Sequence, residues 1–499
     1  MNCNQKRILF LFLLLLSVYY TEAQKMPVDL VNPFVDTHNS RWFYFNSASR
    51  PFGMVNLSPD TDTDKTWSSG YLYDSKTIRC FSHIHAWQLA GIAVMPTTGE
   101  FKGHLGMNAY QSAFTHDTEV AKPGYHKVVL DDYEITAELT SSTRVGFHRY
   151  SFPEKKNKAI IFDTGAKLAH GPTVYSKVWK VSDTEIAGIQ VLSKTGRRPK
   201  DTPVYFVARL NKPFSSIKGW KDKKLLANAP DTIQGVNAGA ALFFDSEEKE
   251  EILMKVGISY VSTDQARLNL DTEINHWDFD RVVQSSVDEW NEWLGRIEIE
   301  GGTEQQQIKF YTDLWRSLLG RRIVSDVDGK YMDRTGENAV VRSVRVDENG
   351  EPLFPHYNFD AWWGSHWSLN ILWSMVYPEV MDGFCNTMVD MYQNGGLIPR
   401  GPSGGNYTFV MIGDPSTSFF ATAYNKGIRN YDAEKAYEGL RKNAFVGGSR
   451  DHAGYEHNTP AFGGGMQYYV KQGWVPEGIK AKGGHKDGAS MTLEYAYQD

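Results

Sequence analysis

From Val28 to Val261 apolar and polar residues alternate in short runs separated by polar turns. The clearest stretch is YHKVVLDDYEITAELTSSTRVGFHRYSF, Tyr125 to Phe152, with turns at Asp131-Asp132 and Ser141-Ser142. A period of two marks strands with one buried face. KAIIFDTG, EIAGIQVLS, PVYFVARL, AALFFD and EILMKVGISYVS continue the series. Many short strands between polar turns predict an antiparallel β-sandwich over residues 28–262.

The period changes near Thr263. In FDRVVQSSVDEWNEWLGRIEI, Val282, Val283, Val287, Trp290, Trp293 and Leu294 fall near helical spacing. In TEQQQIKFYTDLWRSLLGRR, Ile308, Tyr311, Leu314, Trp315 and Leu318 share a face, and Thr303 with Gln306 reads as a capping box. After a hairpin-like VSDVDGKYMDR, helical patterns resume in HWSLNILWSMVYPEVMDGFCNTMVDMYQNGG, SFFATAYNKGI and AEKAYEGLRKNAF, joined by Gly-rich PRGPSGGNY and AFGGG. The chain closes on SMTLEYAYQD, with Leu493, Ala496 and Tyr497 on one helical side and no stop signal.

A strand block followed by a helix block predicts separate domains. The expected organisation is a sandwich, a helical linker at 263–302 and a helical domain at 303–499. Five or six helices are about half of what a closed (α/α)6 toroid needs. The sandwich is therefore expected to fold firmly, and the helical part to be loose with a broad apolar wall.

At 499 residues, with 41% hydrophobic and 22% charged residues, the chain is of ordinary globular composition and long enough for two or three domains. The net charge of −6 is spread along the chain, and no basic stripe points to nucleic acid or a membrane surface. Lys6 and Arg7 precede ILFLFLLLLSVYY and then TEAQ, the order of a secretory signal peptide cleaved after Ala23. The apolar run is shorter than a membrane span needs. The expected mature protein is exported, periplasmic or extracellular, without a stable membrane anchor. Beyond Cys3 only Cys80 and Cys385 remain, enough for one bridge at most and without metal-site spacing.

Three stretches carry candidate chemistry. His83 and His85 in FSHIH lie on alternate strand positions, but no third ligand accompanies them, and hydrogen-bonded core histidines are the favoured reading. Asp360 in FDAWWG is flanked by Phe359, Trp362 and Trp363. A carboxylate among rings suits a sugar, whose C–H faces stack on aromatics while its hydroxyls donate to the acid. A helix N-terminal acid is the competing reading. Asp414 in IGDPST is either a site acid or the cap of the following helix. Phosphate-loop, dinucleotide and HExxH signatures are absent from the sequence.

Taken in order, NPF, PFGMVNLSPDT, GYLYD, FSHIH, MPTTGE, FD before a Trp-rich helix, GLIPR, GD, YNKGI, AEKAYEGLRKNA, GWVP and TLEYAY form a telling set. Over nearly all of residues 28–499 this resembles the glycoside hydrolase family 92 α-mannosidases. The resemblance implies a β-sandwich followed by an (α/α)6 toroid, here incomplete. It also implies a calcium-dependent, exo-acting hydrolase that removes α-linked mannose from oligosaccharide or glycoprotein glycans with inversion.

It further implies substrate-side roles for Asp360, Asp414 and Trp362, with His83, His85 and their neighbour Trp87 bordering the pocket. Inversion requires one carboxylic acid at the departing oxygen and one carboxylate across the ring, with room for a water. The family's TEGNAW-, NEP- and GNDD-like segments, which hold the acid, the calcium-associated residues and the base, do not occur in this sequence. The expectation is that acid, base and calcium ligands lie beyond Asp499, leaving this polypeptide inactive alone.

Departures from the family pattern are CFSHIHAWQLAGIAVMP and FDAWWGSHW, which lack the usual early acid and the usual hydroxyl and basic residues. Two rival readings stand beside the first: a carbohydrate-binding protein without hydrolysis, and an exo-glycosidase of the same fold acting on another sugar.

Overall fold

The computed structural model describes residues 25–38, 47–63, 70–86, 89–195, 198–227, 231–358, 362–452, 463–479 and 487–499. The alternating region forms two antiparallel sheets. Its main strands are β1 (Asn56–Asp60), β2 (Cys80–Ala86), β3 (Leu89–Thr97), β4 (Tyr125–Leu130), β5 (Ile135–Ser141), β6 (Val145–Phe152) and β7 (Lys158–Phe162). They continue with β8 (Thr173–Ser182), β9 (Glu185–Leu192), β10 (Thr202–Leu210), β11 (Ser216–Lys221), β12 (Ala238–Phe244) and β13 (Glu250–Ser259).

One sheet runs β1-β2-β3-β7-β12-β11, and the other β8-β9-β10-β13-β6-β5-β4, each with short strands at both edges. β4 shows why the period of two was readable, because half-buried and buried residues alternate along all of it. Between the sheets lies one apolar core that includes Leu57, Phe81, Ile84, Val94, Leu139, Tyr150, Phe162, Phe206 and Met254.

Helices α1 (Thr263–Glu273) and α2 (Phe279–Leu294) follow the last strand. The Ser262 and Asp278 side chains cap them by accepting from Gln265 N–H and Arg281 N–H. Ala266 and Leu270 of α1 and Phe279 and Val282 of α2 cover the outer sandwich face through Val145, Phe147 and Val207. Further along, α2 leaves the sandwich, and its Trp290 and Leu294 belong to the helical core.

α3 (Glu304–Ser317) opens with the Thr303–Gln306 capping box expected from sequence. The hairpin after it lies downstream of the expected place: a turn at Asp326–Gly329 leads into Lys330–Asp333, which pairs with Val340–Ser343. The long helical pattern beyond is broken at Tyr377-Pro378 into α4 (Leu369–Val376) and α5 (Pro378–Gly395). Pro378 stands at the first position of α5, where its missing N–H costs nothing, and left-handed Gly396 ends that helix.

α6 (Pro415–Asn425), α7 (Ala433–Asn443), α8 (Met466–Gln472) and α9 (Gly488–Gln498) complete the set. α6 contacts α4, α5, α7 and α9, and α5 packs on both α4 and α7. The core shared by α2 to α7 holds Trp290, Trp315, Tyr357, Trp362, Trp373, Phe384 and Phe419, while Met466, Met491 and Tyr495 of α8 and α9 form a smaller cluster of their own. Trp367 (72% exposed), Ile371 and Met375 of the α4 region and Leu493 (72%) and Tyr497 (61%) of α9 face outward.

For α9 the apolar side read from spacing is not the side that packs. Its packed face is Met491 and Tyr495, whose hydroxyl donates to Gly464 O (2.7 Å) and Arg450 O (3.0 Å), while Leu493, Ala496 and Tyr497 are exposed. Cys80 and Cys385 are both buried and free, so no disulfide contributes among the described residues.

The two domains meet on Phe52. This residue lies just before β1, yet its ring lies in the helical core, 5.4 Å from Trp373 and 5.8 Å from Trp293. Its backbone is left-handed (φ 52°), donates to Leu318 O (3.0 Å) and accepts from Ile323 N–H (2.9 Å). Beside it, Arg322 of β14 (Arg322–Ile323) donates to Asn56 Oδ1 and to His85 O.

Candidate functional site

Segments distant in sequence meet beside this junction. Trp362 is buried, with its ring 4.4 Å from Phe419 and 4.8 Å from Phe384. Its backbone N–H donates to Arg400 O (3.1 Å), which ties the FDAWWG and IPRG segments together. The Arg321 guanidinium lies over its ring at 5.0 Å. Arg321 precedes Arg322, which bonds to His85 O, so the end of β2 and the Trp362 neighbourhood are joined through two consecutive arginines.

Asp414 stands at the start of α6 but does not cap it. Its side chain turns inward, where Oδ2 accepts from Asn443 Nδ2 (3.0 Å). Its N–H donates to Gln498 Oε1 (2.6 Å). Oδ1 has no hydrogen-bond partner among the described residues, and the nearby Thr417 hydroxyl does not reach hydrogen-bonding geometry.

Complete burial pushes the Asp414 carboxyl above the usual carboxylate range, opposed by Arg450, Asn443 and Arg400. Arg400 is itself fully buried, which lowers its guanidinium to about 10. It donates to Met411 O (2.8 Å) and to Ser449 O, and so fixes the loop that carries Asp414.

α9 closes the neighbourhood. Gln498 Nε2 donates to Glu494 Oε2 (3.3 Å) while Gln498 Oε1 holds Asp414 N–H, so one amide spans both acids. Burial raises the Glu494 carboxyl, opposed by His366 and Trp363. Left-handed Gly413 (φ 75°) is required where the chain passes between them, because a Cβ there would sit 2.7 Å from Gln498 Nε2. Trp363, Trp367 and Tyr497 offer exposed rings alongside, with His366 5.1 Å from Tyr497. A buried acid with a free oxygen, a second acid with a raised pKa and exposed rings suit the hydroxyls and C–H faces of a sugar.

The structure thus brings together Trp362 and Asp414 of the residues singled out from sequence. His83 and His85 lie elsewhere, wholly buried in the sandwich. His85 Nε2 pairs with Asp60 Oδ1 (2.9 Å) and Nδ1 with Asn56 O (2.7 Å). His83 bonds to Ile92 O (2.8 Å) and His148 Nε2 (2.9 Å). Trp87 and Asp360 fall outside the described residues. Sequence reasoning passed over Arg400, Asn443, Glu494 and Gln498, although GLIPR, AEKAYEGLRKNA and TLEYAY were among the ordered motifs and contain three of them.

Among the described residues no group of three or more His, Cys, Asp or Glu side chains could hold a metal ion. No helix there is long and apolar enough to cross a membrane.

A β-sandwich feeding a helical domain, with acids and rings gathered near the Trp362 segment, defines the architecture. Residues 30–259 match the glycosyl hydrolase family 92 N-terminal domain and residues 265–499 the glycosyl hydrolase family 92 catalytic domain. The chain belongs to glycosyl hydrolase family 92.

Among solved structures it is similar to a family 92 α-mannosidase from Bacteroides thetaiotaomicron, at 28% identity and TM-score 0.82, over 95% of this chain and 62% of that one. The structure titled as the same enzyme in complex with mannoimidazole matches at 28% identity and TM-score 0.82, over 95% and 60%. An inverting family 92 mannosidase from Bacteroides thetaiotaomicron VPI-5482 shares the fold at 24% identity and TM-score 0.81, over 96% and 62%. The chain therefore spans about three fifths of the length of these structures. A search of the curated proteins found no match.

Proposed function

We propose that this chain is the substrate-holding portion of an exported, exo-acting α-mannosidase that hydrolyses terminal α-mannosides of glycans with inversion. The observation that carries the reading is the 28% identity and TM-score of 0.82 to an α-mannosidase over 95% of the chain. In this reading the Asp414–Gln498–Glu494 group takes the hydroxyls of one mannosyl residue, and Trp363 and Trp367 flank it. Asp360 keeps the substrate-side role that the family resemblance implies.

Calcium, a hard cation that takes oxygen ligands, would bind sugar hydroxyls in the complete enzyme and favour a distorted ring. Its ligands, the acid and the base are assigned to segments that this sequence does not contain.

The test is calorimetry of the 499-residue protein with methyl α-mannoside, followed by an aryl α-mannoside assay with and without chelator. Saturable binding without turnover is the expected result. Absence of binding to mannosides, or binding to another sugar in a panel, overturns the substrate assignment. Chelator-sensitive turnover by this chain overturns the division of labour.

A further inference from the structure

Among the described residues Ile92 is the β-branched residue with positive φ, at 59°. Such a residue is a true steric outlier and persists only where its surroundings over-determine it. Ile92 is wholly buried in β3, where the β2–β3 ladder pairs Ser82 with Ala93 and Ile84 with Gly91 but skips His83 and Ile92 between them.

Both backbone groups of Ile92 turn to side chains instead. Its N–H donates to Gln190 Oε1 (2.8 Å), and its carbonyl accepts from His83 Nδ1 (2.8 Å). Gln190 reaches across from β9 of the facing sheet and donates its Nε2 to Thr173 Oγ1 (2.8 Å). His83 is held in turn by His148 of β6, also in the facing sheet.

Two glycines make room for these ties. A Cβ on Gly91 would sit 2.9 Å from Gln190 Oε1, and one on Gly146 would sit 2.7 Å from the His83 ring. Polar latches through an apolar core need a reason, since a well-packed apolar pair would serve burial at less desolvation cost. The reason lies at the outer end of the same hairpin. Two residues beyond His83, the carbonyl of His85 accepts from Arg322, next to the arginine that covers Trp362.

We propose that Gln190 and His83 are positioning residues: they hold Ile92 left-handed and so set the direction in which hairpin β2–β3 meets the helical domain. The mannoside reading is needed only for the second of the two measurements below.

The test uses the full 499-residue chain, with Gln190→Met, Ile92→Gly and the double variant. Glycine adopts positive φ without strain, so it removes the need for the clamp. The first measurement is amide exchange of peptides within residues 80–97. Gln190→Met should speed exchange there at least tenfold while peptides of β8–β10 change less than threefold, and the added Ile92→Gly should restore most of the protection.

The second is affinity for methyl α-mannoside, expected to fall at least fivefold in Gln190→Met and to recover in the double variant. Equal exchange in Gln190→Met and the double variant would overturn the proposal, as would protection lost evenly over the sandwich. If the wild type binds no mannoside, the functional reading fails while the exchange data still decide this one.

Discussion

His83 Nε2 stands 2.9 Å from His148 Nε2 between the two sheets, in a run of hydrogen bonds that begins at the Ile92 carbonyl and ends at the Tyr150 hydroxyl. Ile92 O can only accept, so His83 Nδ1 carries a proton and its Nε2 must accept from His148. His148 Nδ1 then accepts from the Tyr150 hydroxyl (2.8 Å). With both rings neutral, each of these bonds has one donor and one acceptor. Burial lowers His83 from 6.5 to about 4 and pushes His148 down as well.

A folded-state pKa below the unfolded one gives stability that is present above pH 6.5 and lost as pH falls through the folded value. For His83, from 6.5 to about 4 at ~1.4 kcal/mol per pH unit, the loss is about 3 kcal/mol. Urea midpoints measured from pH 7.5 to 4 should fall steeply below 6.5. His148→Gln keeps a donor toward His83 and should flatten that slope.

Asp414 gives the opposite sign. Its carboxyl is raised by burial, so the charged form is the one the fold penalises near neutral pH. Asp414→Asn keeps an acceptor for Asn443 and removes the charge. It is expected to stabilise the fold by about 1 kcal/mol and to weaken methyl α-mannoside binding more than tenfold. A melting temperature that rises while affinity falls marks a site residue rather than a structural one. A fall in both would instead make Asp414 a structural anchor for α6 and α9.

What was legible in the sequence was local. The period of two along Tyr125–Phe152, its change after Thr263 and the Thr303–Gln306 box each depend on residues within a few positions of one another. The Asp414 neighbourhood was half legible, because the motif GD marks a residue but not that its side chain turns from the helix toward Asn443, 29 positions away.

Least legible were ties between distant segments, such as Gln190 to Ile92 and Arg322 to Asn56. Spacing also gave α9 an apolar face without naming the face that packs. Tyr495 is drawn inward by two carbonyl acceptors, which leaves Leu493 and Tyr497 outside.

Phe52 is expected to couple the two domains thermodynamically. Its ring is buried among Trp293, Tyr357, Trp373 and Phe384, and its backbone bonds to Leu318 and Ile323 on the helical side. Phe52→Ala should cost about 4 kcal/mol from lost burial and the cavity left behind. Calorimetric unfolding should split from one transition into two as the sandwich and the helical layer part company. A single transition displaced to lower temperature would show that the remaining junction, Arg322 above all, couples them unaided.

The outward stripe of Trp367, Ile371, Met375, Leu493 and Tyr497 should govern how the 499-residue protein behaves in solution. Each of these large apolar side chains is exposed, and exposed apolar surface that adds up to a patch drives association. Trp367 and Leu493 are each 72% exposed, so replacing both with Ser removes apolar surface without opening a cavity. Stability should change by no more than about 0.5 kcal/mol per site, as for surface positions in general. Light scattering and binding of a hydrophobic dye should both drop in the double variant at unchanged melting temperature. Melting that falls by several degrees would mean that these side chains are packed in solution, with the stripe covered rather than open.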